Sequence, residues 1–235
     1  MTYLRWQAPG RYEIAFTTRV GGVSPGPYAS LNLGRKTGDD VDNVDENRRR
    51  ACAEIGADPE RLALNYQVHS ALVQRARPGA RGEPGDGLWT DEPDLAVLAM
   101  SADCLPIALA RVNGDIPAVA VVHVGWRGLL GGMIESAVRT LGAGTLAAAV
   151  GPAIGPCCYN VRDDVAGPFR AAFGRSIVQD GRLDLWRAAE DALRHAGVAH
   201  VERLDLCTAC HPELFFSHRR DGKPRGVQGV LARVA

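Results

Sequence analysis

The stretch that most constrains this chain runs from Ala118 to Leu130, AVAVVHVGWRGLL. An apolar, β-branched run ends at His123, passes Gly125, Arg127 and Gly128, and gives way to a helical pattern. A buried strand that stops at a histidine and turns through glycines into a helix fixes the imidazole. It also lets a ligand approach the backbone and offers free N–H groups to an anion. Two other apolar runs end in metal-ligating side chains, LALNYQVH at His69 and LAVLAMSADC at Cys104. The expectation is that His69, Cys104 and His123 converge on one metal ion. One thiolate and two imidazoles are borderline-soft donors that suit zinc, and three protein ligands leave a fourth position for water. The metal would lower the pKa of that water to about 7. The plainer reading stands beside it. A lone histidine at a strand end is more often a hydrogen-bonded core residue, and a lone cysteine after an apolar run is usually a small buried hydrophobe.

The rest of the chain alternates strands and helices. Strands are expected over 12–18, 62–68, 71–76, 95–100, 105–110, 118–122, 146–150, 201–206 and 227–234. Asn113-Gly114 is a hairpin signal that makes 106–111 and 118–122 antiparallel neighbours. Helices are expected over 42–55, 129–141, 163–173 and from Asp184 to Gly197, with a short one capped by Asp58-Pro59. Arg19 to Tyr28 and Gly79 to Gly87 read as loops dense in glycine and proline. Strands joined by hairpins and mixed with helices argue for a layered α/β (α+β) fold, with mixed sheets and flanking helices. No linker divides residues 1–235, which read as one domain.

Lys plus Arg balances Asp plus Glu, 27 against 27, so neither nucleic acid nor an anionic membrane is expected as the main partner. The longest uncharged stretch, Thr140 to Val161, is interrupted by Gly142, Gly144, Gly151, Pro152, Gly155 and Pro156 and is not a membrane span. The first residues, MTYLRWQAPGRYE, contain no apolar signal region, which points to the cytoplasm. There the six cysteines are expected as thiols rather than disulfides.

Cys207-x-x-Cys210-His211 is a rival metal motif, but one CxxC without a second pair is weak evidence for zinc. Cys157-Cys158 would supply the missing ligands only if adjacent cysteines reached one ion, which they seldom do without strain. Arg127, beside glycines at a helix start, is a candidate phosphate holder, as are Arg19 and Arg219-Arg220. GWRGLLGG lacks the Gly-Lys-Ser/Thr ending of a Walker loop.

Together, FTTRVGGVS, SLNLG, NYQVHS, SADCLPI, HVGWRG, GPAIGPCCYNV and CTACHPELFFSHRRDG resemble the YfiH family. It is also called the laccase-domain or polyphenol oxidase family, and its bacterial members are known as peptidoglycan editing factors. The motifs span most of the chain in order. Val124, Asn160 and His218 depart from the commoner alanine, acid and tyrosine. The resemblance implies that His69, Cys104 and His123 are the family's metal trio. It also implies phosphorolysis of adenosine, inosine, guanosine and methylthioadenosine, with deamination of adenosine by metal-activated water. On that reading Arg19 and Arg127 hold phosphate, Asn32 bonds a ribose hydroxyl and Asp103 assists proton transfer. The partners are then purine nucleosides and phosphate, met by a monomer or homodimer.

A multicopper laccase needs roughly ten imidazole ligands; this chain has six histidines. Copper would still occupy a His/His/Cys site in vitro, because Cu²⁺ outbinds Zn²⁺. Two other readings use the same residues: a cysteine hydrolase of peptidoglycan precursors with Cys104 as nucleophile, and a metal-storage protein without turnover.

Overall fold

The computed structural model describes residues 3–113 and 116–235. Its strands are β1 (Tyr3–Arg5), β2 (Tyr12–Thr17), β3 (Ala63–Tyr66), β4 (Val73–Arg75), β5 (Arg81–Pro84), β6 (Gly87–Thr90), β7 (Val97–Ser101), β8 (Leu105–Arg111), β9 (Val119–Val124), β10 (Leu146–Val150), β11 (Val178–Gln179), β12 (Arg182–Leu183), β13 (His200–Arg203) and β14 (Gln228–Val234). Its α-helices are α1 (Val41–Glu54), α2 (Trp126–Leu130), α3 (Met133–Leu141), α4 (Asp163–Phe173), α5 (Leu185–His195) and α6 (His218–Asp221).

Two six-stranded mixed sheets, ordered β1-β2-β14-β7-β3-β5 and β13-β10-β8-β9-β6-β4, carry the fold. Period-2 alternation in the central strands decides how they stack. Ala108, Ala110, Val119, Val121, Ala147 and Ala149 of the second sheet share one core with Phe16, Val97, Ala99, Val230 and Ala232 of the first. Small side chains on these facing rows let the sheets approach closely. The alternate residues, Ile107, Leu109, Val122, Ala148 and Val150, turn to the other face, where α3, α4 and α5 cover them. On the far side of the first sheet, Ala51, Cys52 and Ile55 of the α1 segment pack on Leu62, Leu98 and Leu231. The result is four layers, helix, sheet, sheet, helix. Strands buried on both faces explain the continuous apolar runs of the sequence.

The expected antiparallel pairing of β8 with β9 is present, with Leu109 opposite Ala120; Gly114 of the hairpin signal lies outside the described residues. Three expectations are corrected. The helix over 129–141 is two helices, α2 and α3, broken at Gly131-Gly132, where Gly132 adopts φ +82°. Asp58-Pro59 makes a single turn, with Asp58 Oδ1 accepting from the Glu60 amide at 2.9 Å. Buried Leu62 and the Ala63 amide, bonded to the Ala96 carbonyl at 2.9 Å, then draw the chain into β3. The connector 79–87 contains β5, an exposed edge strand parallel to β3; its sequence, RGEP, has no apolar alternation to read.

The topology sets up the site. The connections β3 to β4, β5 to β6 and β7 to β8 each leave the first sheet and enter the second. His69 lies on the first crossing, Asp86 on the second and Cys104 on the third.

Candidate metal centre and its surroundings

Asp86 organises the centre. It is buried between Gly85 and Gly87, and its carboxylate gathers donors from two directions. Oδ2 accepts from the Val68 amide at 3.1 Å, the Ser70 amide at 2.7 Å and the Ser70 hydroxyl at 2.8 Å. Oδ1 accepts from the His69 amide at 3.0 Å and meets His123 Nδ1 at 2.9 Å. Burial alone would raise its pKa, but the hydrogen bonds from His123 and Ser70 outweigh it and hold the carboxyl well below the usual range. One carboxylate thus fixes the tight turn on which His69 takes φ +61° and the tautomer of His123, leaving His123 Nε2 for a ligand.

His69, Cys104 and His123 each place a donor atom within 4.8 Å of the others. Cys104 Sγ lies 3.9 Å from His69 Nε2, and the two imidazoles meet edge to face with centroids 4.9 Å apart. Burial opposes ionisation of the Cys104 thiol, but the charge of His123 and its hydrogen bond, with help from His69, bring the pKa down to about 6. Burial likewise opposes charge on His123, and the Cys104 thiolate and Asp86 carry it up to about 9. The pair therefore favours a thiolate beside an imidazolium, and a cation held there would take the place of the shared proton. His123 is buried, Cys104 half-buried and His69 exposed, so the cluster is open on the His69 side.

The backbone leaves room for an ion. A Cβ on Gly125 would sit 2.9 Å from His69 Cδ2 and 3.1 Å from Cys104 Sγ. The donor set, the carboxylate behind His123 and this cleared space all fit a zinc-type ion held by His69, Cys104 and His123. Of the six histidines, two enter this centre. Among the described residues the one other group able to hold a metal is four cysteines, so a multicopper histidine cluster is not formed there.

Around the trio the expected helpers divide. Arg127 is exposed, stacks on Trp126 at 4.2 Å and meets no carboxylate among the described residues. Asp103 is buried beside Cys104, and both its oxygens serve the loop: Oδ1 accepts from the Thr208 hydroxyl at 2.6 Å and Oδ2 from the Arg219 amide at 2.6 Å. Asn32 is buried away from solvent. Its Nδ2 donates to Asp39 and Thr37, both at 2.9 Å, and its Oδ1 accepts from the amides of Gly34 and Val227. It fixes the 30–39 loop and has no hydrogen bond left for a ribose hydroxyl. Arg19 donates Nε to the Ala29 carbonyl at 2.7 Å and Nη1 to the Pro212 carbonyl at 2.9 Å, over the ring of Phe216.

Three residues join the surroundings. Tyr159 is half-buried; burial first, and then the Cys104 charge, push its pKa up to about 12, against Arg219 and Arg127. Arg219 lies over the Tyr159 ring at 5.2 Å and donates to the Asn160 carbonyl at 2.9 Å. Arg225 is half-buried; burial lowers its pKa, opposed by the charges of Asp103, Asp221 and Cys104. Asp86 and Arg225 carried no motif signal. Tyr159 was visible as the end of GPCCY and Arg219 as half of an arginine pair.

The four cysteines correct a second expectation. Adjacent Cys157 and Cys158 do reach one locus, together with Cys207 and Cys210. The turn after Gly155 makes this possible, with the amides of Cys158 and Tyr159 both bonded to the Gly155 carbonyl at 3.0 Å.

Residues 13–234 match a family model described as multi-copper polyphenol oxidoreductase laccase. A Geobacillus stearothermophilus protein named purine nucleoside phosphorylase YlmD is 37% identical over 241 residues, covering 92% of this chain and 86% of that one. The Escherichia coli purine nucleoside phosphorylase YfiH is 35% identical over 230 residues, covering 92% of each. The crystal structure of the Neisseria meningitidis protein NMB0706 superposes with a TM-score of 0.90 at 32% identity, over 100% of this chain and 99% of that one.

Proposed function

Because the chain belongs to the multi-copper polyphenol oxidoreductase laccase family, the YfiH family, we propose that it is a zinc-dependent purine nucleoside phosphorylase. Its substrates on this reading are adenosine, inosine, guanosine and methylthioadenosine, with adenosine deamination as a second activity. The observation that carries the reading is an open His/Cys/His cluster flanked by cationic side chains near Cys104. Bound there, zinc supplies Lewis-acid polarisation and an activated water. The protein's own residues do the rest. Asp86 keeps His123 in one tautomer and presets the His69 turn. Arg127 and Arg219 offset the charge of phosphate as it is brought to the ribose C1′, where the bond to the purine breaks. Tyr159, neutral at working pH, presents a ring face to the base. Asp103 is a positioning residue: it ties Cys104's loop to Thr208 and Arg219.

A cysteine hydrolase reading has one observation in its favour, the run Asp86, His123, Cys104, which has the order of a nucleophile triad. A triad needs one imidazole, however, and here two crowd one thiolate. We read that donor set as a metal site.

The deciding assay incubates adenosine with metal-analysed protein, with and without phosphate, and separates adenine, inosine and ribose 1-phosphate. Phosphate-dependent adenine, lost in Cys104→Ala, is expected. No turnover by zinc-loaded protein would reject the phosphorylase and move testing to muropeptide precursors. In the same assay Arg127→Ala is expected to raise the KM for phosphate about 10- to 100-fold, the equivalent of about 1.5–3 kcal/mol for a charge-assisted hydrogen bond. An unchanged KM would remove Arg127 from the phosphate site.

A further inference from the structure

The four-cysteine cluster lies outside the trio, on two loops. Cys157 and Cys158 follow β10, and Cys207 and Cys210 follow β13. All four sulfurs lie within 4.8 Å of one another, with Cys210 Sγ 3.5 Å from Cys157 and 3.4 Å from Cys158. A disulfide would bring one pair to about 2.05 Å and leave two thiols behind. A zinc ion bonded at about 2.3 Å to four sulfurs spaces them about 3.8 Å apart, inside the observed range. We propose that Cys157, Cys158, Cys207 and Cys210 form a second metal site, a closed tetrathiolate zinc site that is structural rather than catalytic.

The backbone is arranged for thiolates. Buried Cys207 Sγ accepts the Gly155 amide at 3.3 Å, and the Cys207-Thr-Ala-Cys210 turn closes with the Cys210 amide on the Cys207 carbonyl at 3.2 Å. Four sulfur ligands leave no open position for water or substrate, which separates this site in kind from the trio. The two loops already meet: Ala153 bridges Cys207, and the Thr208 amide donates to the Ala153 carbonyl at 3.0 Å. Thr208 in turn holds Asp103. An ion here therefore pins the wall that carries Tyr159 against the loop that carries Cys104.

The test uses the full chain, purified under reducing conditions and titrated with zinc. Cys104→Ala is expected to retain about one zinc per chain, because the tetrathiolate survives loss of the trio. Adding Cys210→Ser or, separately, Cys157→Ser, both at exposed positions, is expected to remove it. Cobalt in Cys104→Ala is expected to give the sulfur-to-metal charge-transfer band and the intense visible bands of a tetrahedral tetrathiolate. Absence of zinc and of that spectrum from folded Cys104→Ala overturns the proposal. So does recovery of a disulfide among these cysteines by mass spectrometry of protein kept under the same conditions. Both readouts are independent of nucleoside turnover.

Discussion

Asp86→Asn is expected to weaken zinc binding at the His/Cys/His centre by about 10- to 100-fold, the usual cost of losing a carboxylate behind a ligating histidine. The amide keeps the shape of the side chain but turns one oxygen into a donor. Every neighbour of Asp86 is itself a donor: the amides of Val68, His69 and Ser70, the Ser70 hydroxyl and His123 Nδ1. At least one buried N–H then faces another, and each hydrogen bond lost to the charged group costs about 1.5–3 kcal/mol. The pH dependence has a definite sign. A depressed folded-state pKa contributes stability that is full above the ordinary carboxylate value of about 3.9 and drains away as pH falls below it. The variant should therefore lose stability at neutral pH and show a flatter acid-unfolding curve. Competition with a chromophoric chelator and melting curves from pH 2 to 7 measure both. Zinc affinity equal to wild type would mean that the His123 tautomer is set by something other than Asp86.

Gly125→Ala should separate the fold from the site. Gly125 has φ −80° and ψ 173°, a conformation open to any residue, so the backbone has no need of glycine. The need is spatial: the new methyl would stand 2.9 Å from the His69 ring and 3.1 Å from the Cys104 sulfur. We expect a melting temperature near wild type, loss of the trio's zinc and a fall in turnover of at least about 100-fold, in line with an ångström-scale misplacement of catalytic groups. Metal analysis beside circular dichroism reads the two halves. Full zinc content and full activity would show that His69 can swing clear, and the cleared space would then have no role.

The layers were legible because β8, β9, β10 and β14 are apolar runs bounded by turns, and α5 carries its cap at Asp184. The edge strand β5 was not, because exposed edges obey no alternation. His69, Cys104 and His123 were nameable from strand ends and from family motifs, but spacing in sequence says nothing of convergence across two sheets. Asp86 looked like turn punctuation between two glycines; its worth comes from donors 16 to 37 residues away. Asn32 misled for the opposite reason: an amide in a glycine-rich loop looks available to a ligand, and here the loop itself takes all of it. The cysteines were discounted on adjacency, and a single turn at Gly155 was enough to bring neighbours to one point.

His69, Asp86 and Cys104 ride on three separate crossings between the sheets, and His123 ends β9. All four gather at one end of the second sheet, where β9 lies between β8 and β6 and β6 pairs with β4, so the centre takes shape when those four strands come into register. On the proposed metal-site reading, uptake works as an inspection stamp: a chain with one of these segments misrouted has no place to receive the ion, and a chain that holds it has this sheet in register. A chelator added during refolding should then act on the register of the second sheet and leave the first sheet to form at its own pace.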